Sequence, residues 1–342
     1  MKKESLTIQT VAEMVGVSKT TVSRFLNGKY EYMSAETQEA IRSAIEKSHY
    51  RPSQVARTLS TKRSNLIAIV CPGVAVQSSH LFLQGVDTAI QNSGYDYIIL
   101  SCGEDYLREC SALNRCIDQQ VDGILFSPVT DNGELITKIA ESSIPVVMFD
   151  RVIDGWTHSS VSIDHRGMMI AALDHLEKQG YSDIFLFTRK FKAPNTRYIR
   201  KEAFCEYMSS HFRKAQKNCV VYLDKGDELY PSICRALQQI RTEHAGKPAV
   251  VFAADMITLH AVLRATRALA IRIPEDLRVI GYDQQSSAGL CSPSITYLEQ
   301  PLYELGQTAV RLLVNCIEHK GAADQTVVLK GKLVIGESTS IR

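Results

Sequence analysis

Residues 6–24, LTIQTVAEMVGVSKTTVSR, decide how the rest of the chain is read. Ile8, Val11, Ala12 and Val15 recur at the i, i+3, i+4, i+7 spacing of a helix with one buried face, leaving Gln9, Glu13 and Met14 outward. Gly16 ends that helix, because glycine enters the left-handed conformation without steric cost, and Ser18 caps a second one. The second helix, Lys19 to Asn27, turns Val22 and Leu26 inward and presents Lys19, Thr20, Ser23 and Arg24, all donors and none acidic. The two helices form a helix-turn-helix, and a donor surface free of carboxylates suits the major groove of DNA.

The charge distribution points the same way. The 342 residues carry a net charge of only +2, yet residues 1–64 hold 11 Lys and Arg against 6 Asp and Glu, while the remainder holds 28 against 31. Positive charge is thus concentrated where phosphates are to be met. A hydrophobic content of 45% with 22% charged residues excludes a disordered or collagen-like chain, and no apolar run has the length of a membrane helix. The first residues, MKKESLTIQT, lack the apolar core of a signal peptide, which predicts a cytoplasmic protein whose nine cysteines are thiols. None of them sits in a C-x-x-C pair, and neither a metal site nor a cofactor is expected.

Ser34 caps a predicted third helix, with Glu36 in its first turn and Ile41, Ala44 and Ile45 on one face. Three helices around Val11, Val15, Val22, Leu26, Ile41 and Ile45 make an all-α head, residues 1–52. Pro52 separates it from a short stretch, residues 53–64, that Ser53 can cap as a helix of about two turns, too short to be stable alone. There Arg51, Arg57, Lys62 and Arg63 surround Val55, Ala56 and Leu59. That mixture reads either as a plain basic linker or as a hinge helix that folds against DNA and a twin copy, with Leu59 a wedge between minor-groove base steps.

From Leu66 onward the pattern changes. Ile- and Val-rich runs (LIAIVC, YDYIIL, DGILFS, IPVVMFD) alternate with amphipathic stretches, and after Ser162 the rhythm restarts with SSVSID, DIFLFT, CVVYLD, AVVFAA and LRVIGYD. Strands without polar alternation, each followed by a helix, predict an α/β core of two lobes with parallel sheets, residues 65–342. Ligands of such sheets bind beyond the carboxyl ends of the strands, so a cleft between the lobes is the expected site.

VAEMVGVSKTTVSRFLNG (11–28), YRPSQVARTL (50–59), VDGILFSP, VVMFDR, VFAAD, VIGYD and QPLYELG (300–306) together resemble the lactose-repressor (LacI/GalR) family of bacterial transcription regulators, over essentially the whole chain. The resemblance implies a homodimer on near-palindromic double-stranded operator DNA, hinge helices in the central minor groove, and lobes like those of periplasmic sugar-binding proteins. It implies Lys19, Thr20 and Arg24 as base readers, Ser18, Thr21, Ser23 and Asn27 as phosphate contacts, Arg57 in the basic hinge, and Leu59 as the intercalating leucine. Arg24 is the strongest candidate, since a guanidinium can bond guanine bidentately. The family's lobes exchange segments, so lobe 1 is expected at about 65–162 and 293–322 and lobe 2 at about 163–292 and 323–342. YELGQTAVRLLVNCIE should return to the first lobe and TVVLKGKLVIG to the second. The absence of a Leu heptad after LVIGEST predicts a dimer and not a tetramer.

For the effector the resemblance implies Asp150 and Arg151 at the end of the fourth strand, Arg200 in NTRYIRKEAF, Asp255 after VFAA and Asp283 at the end of VIGYD. Carboxylates suit paired hydroxyls, and Arg suits a carboxylate or ring oxygen; each of these residues could instead be a helix cap or an interlobe ion pair. Where family members often carry Asn-Pro-Phe-Phe, this chain has VQSSHLF, so Ser78, Ser79 and His80 are expected to replace an aromatic platform; where members carry Asn-Asp, it has Asp255 and Met256. With Arg151, Arg189, Lys190 and Arg200 near in sequence, that composition fits a small anionic or highly hydroxylated effector better than a purine, and is similar to the subgroup sensing keto-deoxy sugar acids. The function expected is therefore a repressor of carbohydrate or sugar-acid catabolism genes controlled by that effector. The alternative is an enzyme with a DNA-binding head, against which stands the lack of a Walker loop, G-x-S-x-G, H-E-x-x-H or dinucleotide fingerprint. An exported solute receptor is disfavoured by the basic head.

Overall fold

The computed structural model describes residues 7–50, 63–74, 77–91, 93–130, 133–190, 196–212, 219–244, 249–283, 288, 290–319 and 323–340. Arg57, Leu59 and the rest of the expected hinge helix lie outside them, as do the side chains of Ser78 and Asp283. The chain divides into two compact units, residues 1–64 and 65–342.

Local chemistry accounts for the first unit. Helix α1 (Ile8–Val15) starts at Thr7, whose hydroxyl accepts from Thr10 N while Thr10 returns the bond, and it stops at Gly16 with φ +74°. Helix α2 (Lys19–Leu26) is capped by Ser18, whose Oγ accepts from Thr21 N at 3.0 Å. Helix α3 (Ala35–Ser48) begins at Ser34 in the same manner and ends at His49, left-handed at φ +52°. Val11, Val22 and Ile41 are fully buried between the three helices; Val15, Leu26 and Ile45 pack at the margin, and the Tyr50 ring closes the floor. Satisfying the orphan amides at each N-terminus is what allows helices of eight residues to persist in so small a core.

The second unit holds two six-stranded sheets. The first has the order β11-β5-β4-β3-β1-β2, with β1 (Leu66–Cys71), β2 (Asp96–Ser101), β3 (Gly123–Phe126), β4 (Val146–Phe149), β5 (Ser160–Ile163) and β11 (Thr326–Leu329), all parallel. The second has the order β12-β10-β9-β8-β6-β7, with β6 (Ile184–Arg189), β7 (Val220–Leu223), β8 (Ala249–Ala253), β9 (Leu277–Asp283), β10 (Thr296–Glu299) and β12 (Lys332–Val334); only β12 runs antiparallel to its neighbour. Nearly all central-strand residues are buried, as unbroken Ile and Val runs require when helices cover both faces.

Two expectations about lobe membership, and one about where the strand rhythm restarts, are corrected. SSVSID, read as restarting the rhythm, forms β5 in the first sheet. Thr296–Glu299, expected in lobe 1, pairs with β9 in the second sheet, and Thr326–Leu329, expected in lobe 2, pairs with β5 in the first. The crossovers expected near 293 and 323 thus each fall one strand later. A strand's sheet depends on the partner that satisfies its amides, which its own apolar pattern does not encode.

Helix α4 (Gln77–Ile90) and helix α11 (Leu302–Glu318) lie against each other in the first lobe at backbone distance. A Cβ on Gly306 would stand 2.2 Å from Phe82 O, and one on Gly85 2.0 Å from Tyr303 O, so both positions must lack a side chain. Gly306→Ala is expected to separate the helices and cost about 1–3 kcal/mol, the usual penalty of overpacking. Urea unfolding checks this, and an unchanged midpoint would contradict the close approach.

Candidate functional site

In the first unit, the α2 surface carries the expected donors in two classes. Lys19, Thr20, Arg24 and Asn27 are exposed, and Thr21 and Ser23 are half-buried. The Arg24 guanidinium sits 4.7 Å over the Tyr32 ring, a cation–π contact that orients it, and Tyr32 was not singled out in the sequence. Ser18 Oγ and Thr21 Oγ1 bond each other at 2.9 Å, and Asn27 Nδ2 donates to Ser23 O at 2.8 Å. Those three side chains therefore secure the ends of the helix besides facing outward.

In the second unit, a cavity of about 350 Å3 is lined from both sheets. From the first come Cys71, Ser79, Glu104, Ser127, Phe149, Asp150 and Arg151; from the second come Arg189, Arg197, Arg200, Asp255 and Tyr282. Among the described residues, four guanidiniums face three carboxylates. Asp150 occupies a left-handed backbone position at φ +60°, which aims its carboxyl off the end of β4 toward the second lobe. There Asp150 Oδ1 lies 3.7 Å from His165 Nε2, beyond a normal hydrogen bond.

Helix α7 (His165–Lys178) supplies His165, and helix α8 (Thr196–His211) supplies Arg197 and Arg200. Arg200 is buried and nearly saturated: Nη1 donates to Ala254 O at 2.6 Å, Nη2 donates to Gln300 Oε1 at 3.0 Å and to His165 Nδ1 at 3.3 Å, and the group stacks 3.7 Å over Tyr282. Since a guanidinium only donates, His165 Nδ1 must accept, which places the imidazole proton on Nε2, toward Asp150. Burial and the Arg200 charge lower the His165 pKa and keep the ring neutral. Burial opposes ionisation of Asp150, yet the His165 N–H and the Arg151 and Arg200 charges hold its carboxyl below the usual range. Among the described residues Arg200 Nε has no partner.

Asp255 caps helix α10 (Met256–Ala268) by accepting from Thr258 N at 2.9 Å, and its Oδ2 takes Arg189 Nε and Nη2, each at 3.1 Å. Burial works against its charge, but Arg189 and the Thr258 amide hold its pKa down. Of the expected effector residues, the structure thus gathers Ser79, Asp150, Arg151, Arg200 and Asp255 at one cavity, and Asp283 ends β9. His80 is a correction: it is exposed and outside the lining, because Ser79, Phe82 and Leu83 share the inner face of α4 and the next residue turns about 100° away. The expectation of a floor without an aromatic platform is also corrected, since Phe82 stacks on Phe149 with centroids 4.4 Å apart at an interplanar angle of 9°.

Glu104, His165, Arg197, Tyr282 and Gln300 were missed. Arg197 stands three residues before Arg200 on one helix, a spacing that puts both on one face and could have revealed it. Glu104, in the turn after β2, and Gln300, after β10, carry no local signal. Among the described residues no helix is long and apolar enough to cross a membrane, and no cluster of His, Cys, Asp or Glu could hold a metal ion.

Comparison with known proteins matches both units. Residues 7–53 match the bacterial regulatory proteins of the lacI family, and residues 173–339 match a periplasmic binding protein-like domain. The ribose operon repressor of Halalkalibacterium halodurans is 30% identical over 337 residues, 97% of each chain. HTH-type transcriptional regulator KdgR of Bacillus subtilis (strain 168) is 28% identical over 342 residues, 99% of this chain and 100% of KdgR. The lac repressor dimer bound to operator and the anti-inducer ONPF superposes with a TM-score of 0.81 at 23% identity, covering 98% of this chain and 99% of the repressor chain.

Proposed function

This chain belongs to the lacI family of bacterial regulatory proteins and is a DNA-binding transcription regulator, not an enzyme; from that premise we propose that it represses genes of carbohydrate or sugar-acid catabolism. In this reading a homodimer binds a near-palindromic operator, and a small hydroxylated or anionic effector binds between the lobes. The observation that carries the effector class is the cavity itself: among its described residues, four guanidiniums against three carboxylates around a stacked aromatic pair suit a monosaccharide-sized polyol or acid. Both Nη2 hydrogens of Arg200 are used, so its unpartnered Nε–H cannot pair with Nη2 as a bidentate edge, which fits a hydroxyl or ring oxygen better than a bidentate carboxylate. Asp150, Arg151, Asp255 and Ser79 supply the remaining polar contacts.

On DNA, Lys19, Thr20 and Arg24 read bases while Ser18, Thr21, Ser23 and Asn27 contact phosphates, with Arg57 and Leu59 entering the central minor groove. Arg24→Ala is expected to cost about 1–3 kcal/mol on operator DNA and much less on random duplex. Equal losses on both, measured at one salt concentration, would reassign Arg24 to phosphate. The experiment for the whole reading is operator selection from random duplexes at fixed salt, repeated with sugars and sugar acids. Enrichment of a near-palindrome released by a sugar acid is the expected result. Failure to enrich any site, or release only by neutral disaccharides, would overturn it.

A further inference from the structure

Glu104, a carboxylate of the first lobe, reaches the cationic wall of the second. Its Oε1 accepts from Arg197 Nη2 at 2.6 Å and its Oε2 from Lys225 Nζ at 3.0 Å, while Arg151 of its own lobe stands 3.9 Å away. Arg197 is buried, with a side chain only 7% exposed; its other nitrogen, Nη1, is 3.8 Å from Asp255, whose same oxygen already takes two bonds from Arg189. Among the described ion pairs at this point, the second lobe sets Arg189 and Arg197 against Asp255, and Arg197 and Lys225 also meet Glu104. Part of that positive charge is met from across the cleft. Burial would raise the Glu104 pKa, yet Lys225 and Arg197 bring it down to about 2, so the carboxylate is charged throughout the physiological range.

We propose that Glu104 is a tethered counter-anion that closes the cleft and sets its selectivity, because a ligand carboxylate that takes the Arg197 Nη2 must displace it. The inference rests on the reading of the cavity as the effector site and names the device that separates acids from neutral sugars there. A neutral sugar offers Arg197 no charge to replace the one it would lose, whereas an acid exchanges one carboxylate for another and frees Glu104 from the opposite lobe. The exchange is a coupling device, since the lobes are bridged by Glu104 in one state and by ligand in the other.

The test uses the full-length chain at fixed salt, as wild type, Glu104→Gln and Lys225→Gln. Isothermal titration with D-glucuronate, D-gluconate and neutral D-glucose measures selectivity, and small-angle X-ray scattering without added sugar measures cleft closure. Glu104→Gln is expected to raise affinity for the acids about tenfold, to leave D-glucose within threefold, and to increase the radius of gyration. Lys225→Gln, which keeps the Arg197 pair, is expected to change acid affinity less than threefold. Unchanged or weakened acid binding by Glu104→Gln would overturn the proposal, a loss making Glu104 a ligand contact and not a competitor. If no variant binds either acid, the sugar-acid reading fails by itself; identical scattering of wild type and Glu104→Gln would then overturn the latch as well.

Discussion

Arg200→Ala is expected to lower the stability of the second unit by about 3–5 kcal/mol and to abolish the effector response while leaving operator binding intact. The guanidinium satisfies Ala254 O, Gln300 Oε1 and His165 Nδ1 and lies over the Tyr282 ring, all in a buried setting. Removing one member of such a network strands its partners, a penalty that exceeds the net worth of the bonds themselves. It also releases His165 from its neutral tautomer, since Arg200 both occupies Nδ1 and lowers the ring's pKa. Urea unfolding of the variant, with operator binding measured alongside, checks the prediction. Should Arg200→Ala not fold, Arg200→Lys keeps the charge but not the three-way fork, and is expected to lose the effector response with a smaller drop in stability. A wild-type unfolding midpoint and effector response in either variant would remove Arg200 from the site.

The second large effect is a pH dependence from Glu109. This residue lies on helix α5 (Tyr106–Asp118), has no solvent exposure, and accepts the Val129 amide at 2.5 Å with Oε2 while Oε1 has no partner among the described residues. Burial pushes its pKa up to about 7, only partly opposed by that amide and by the Arg151 charge. A carboxyl whose folded pKa is raised favours folding fully below its ordinary value of 4.5, where both states are protonated. As pH rises from there to about 7 the folded chain must keep or lose a proton the unfolded chain has already released, so stability falls, by about 3 kcal/mol in all, and then levels off. Glu109→Gln is expected to flatten that slope and to be the more stable protein at pH 8. Parallel stability profiles for the two proteins between pH 5 and pH 8 would refute it. The Val129 amide belongs to the segment carrying Ser127 and Pro128, and Pro128 O accepts from Arg151 at 3.4 Å, so the same proton bears on the wall of the cavity.

The reading of the sequence succeeded where the deciding physics is local. Gly16 at φ +74°, Ser18 accepting from Thr21 N and Ser34 accepting from Thr37 N are each settled within four residues, so the helix bounds of the head could be read directly. The apolar runs LIAIVC and LRVIGYD are strands with almost the bounds their composition suggests. Reading failed where the deciding partner is remote. TYLE and TVVL are similar short apolar segments, and nothing within them says that the first joins β9 and the second β5. His80 was misjudged because the face of α4 that turns inward is chosen by α11, more than two hundred residues away.

By itself, then, the sequence determined a capped helix-turn-helix with an acid-free second helix, a basic first segment, and a core of parallel strands covered by helices. These follow from backbone sterics, capping and hydrophobic periodicity, which act over a few residues. The tertiary structure alone decided which strands cross between sheets, that Asp150, His165 and Arg200 meet, that Glu109 is buried as an acid, and that Glu104 reaches Arg197 across the cleft. Electrostatic pairing and desolvation depend on distance in space and on exclusion of water, and neither is set until the chain has closed on itself.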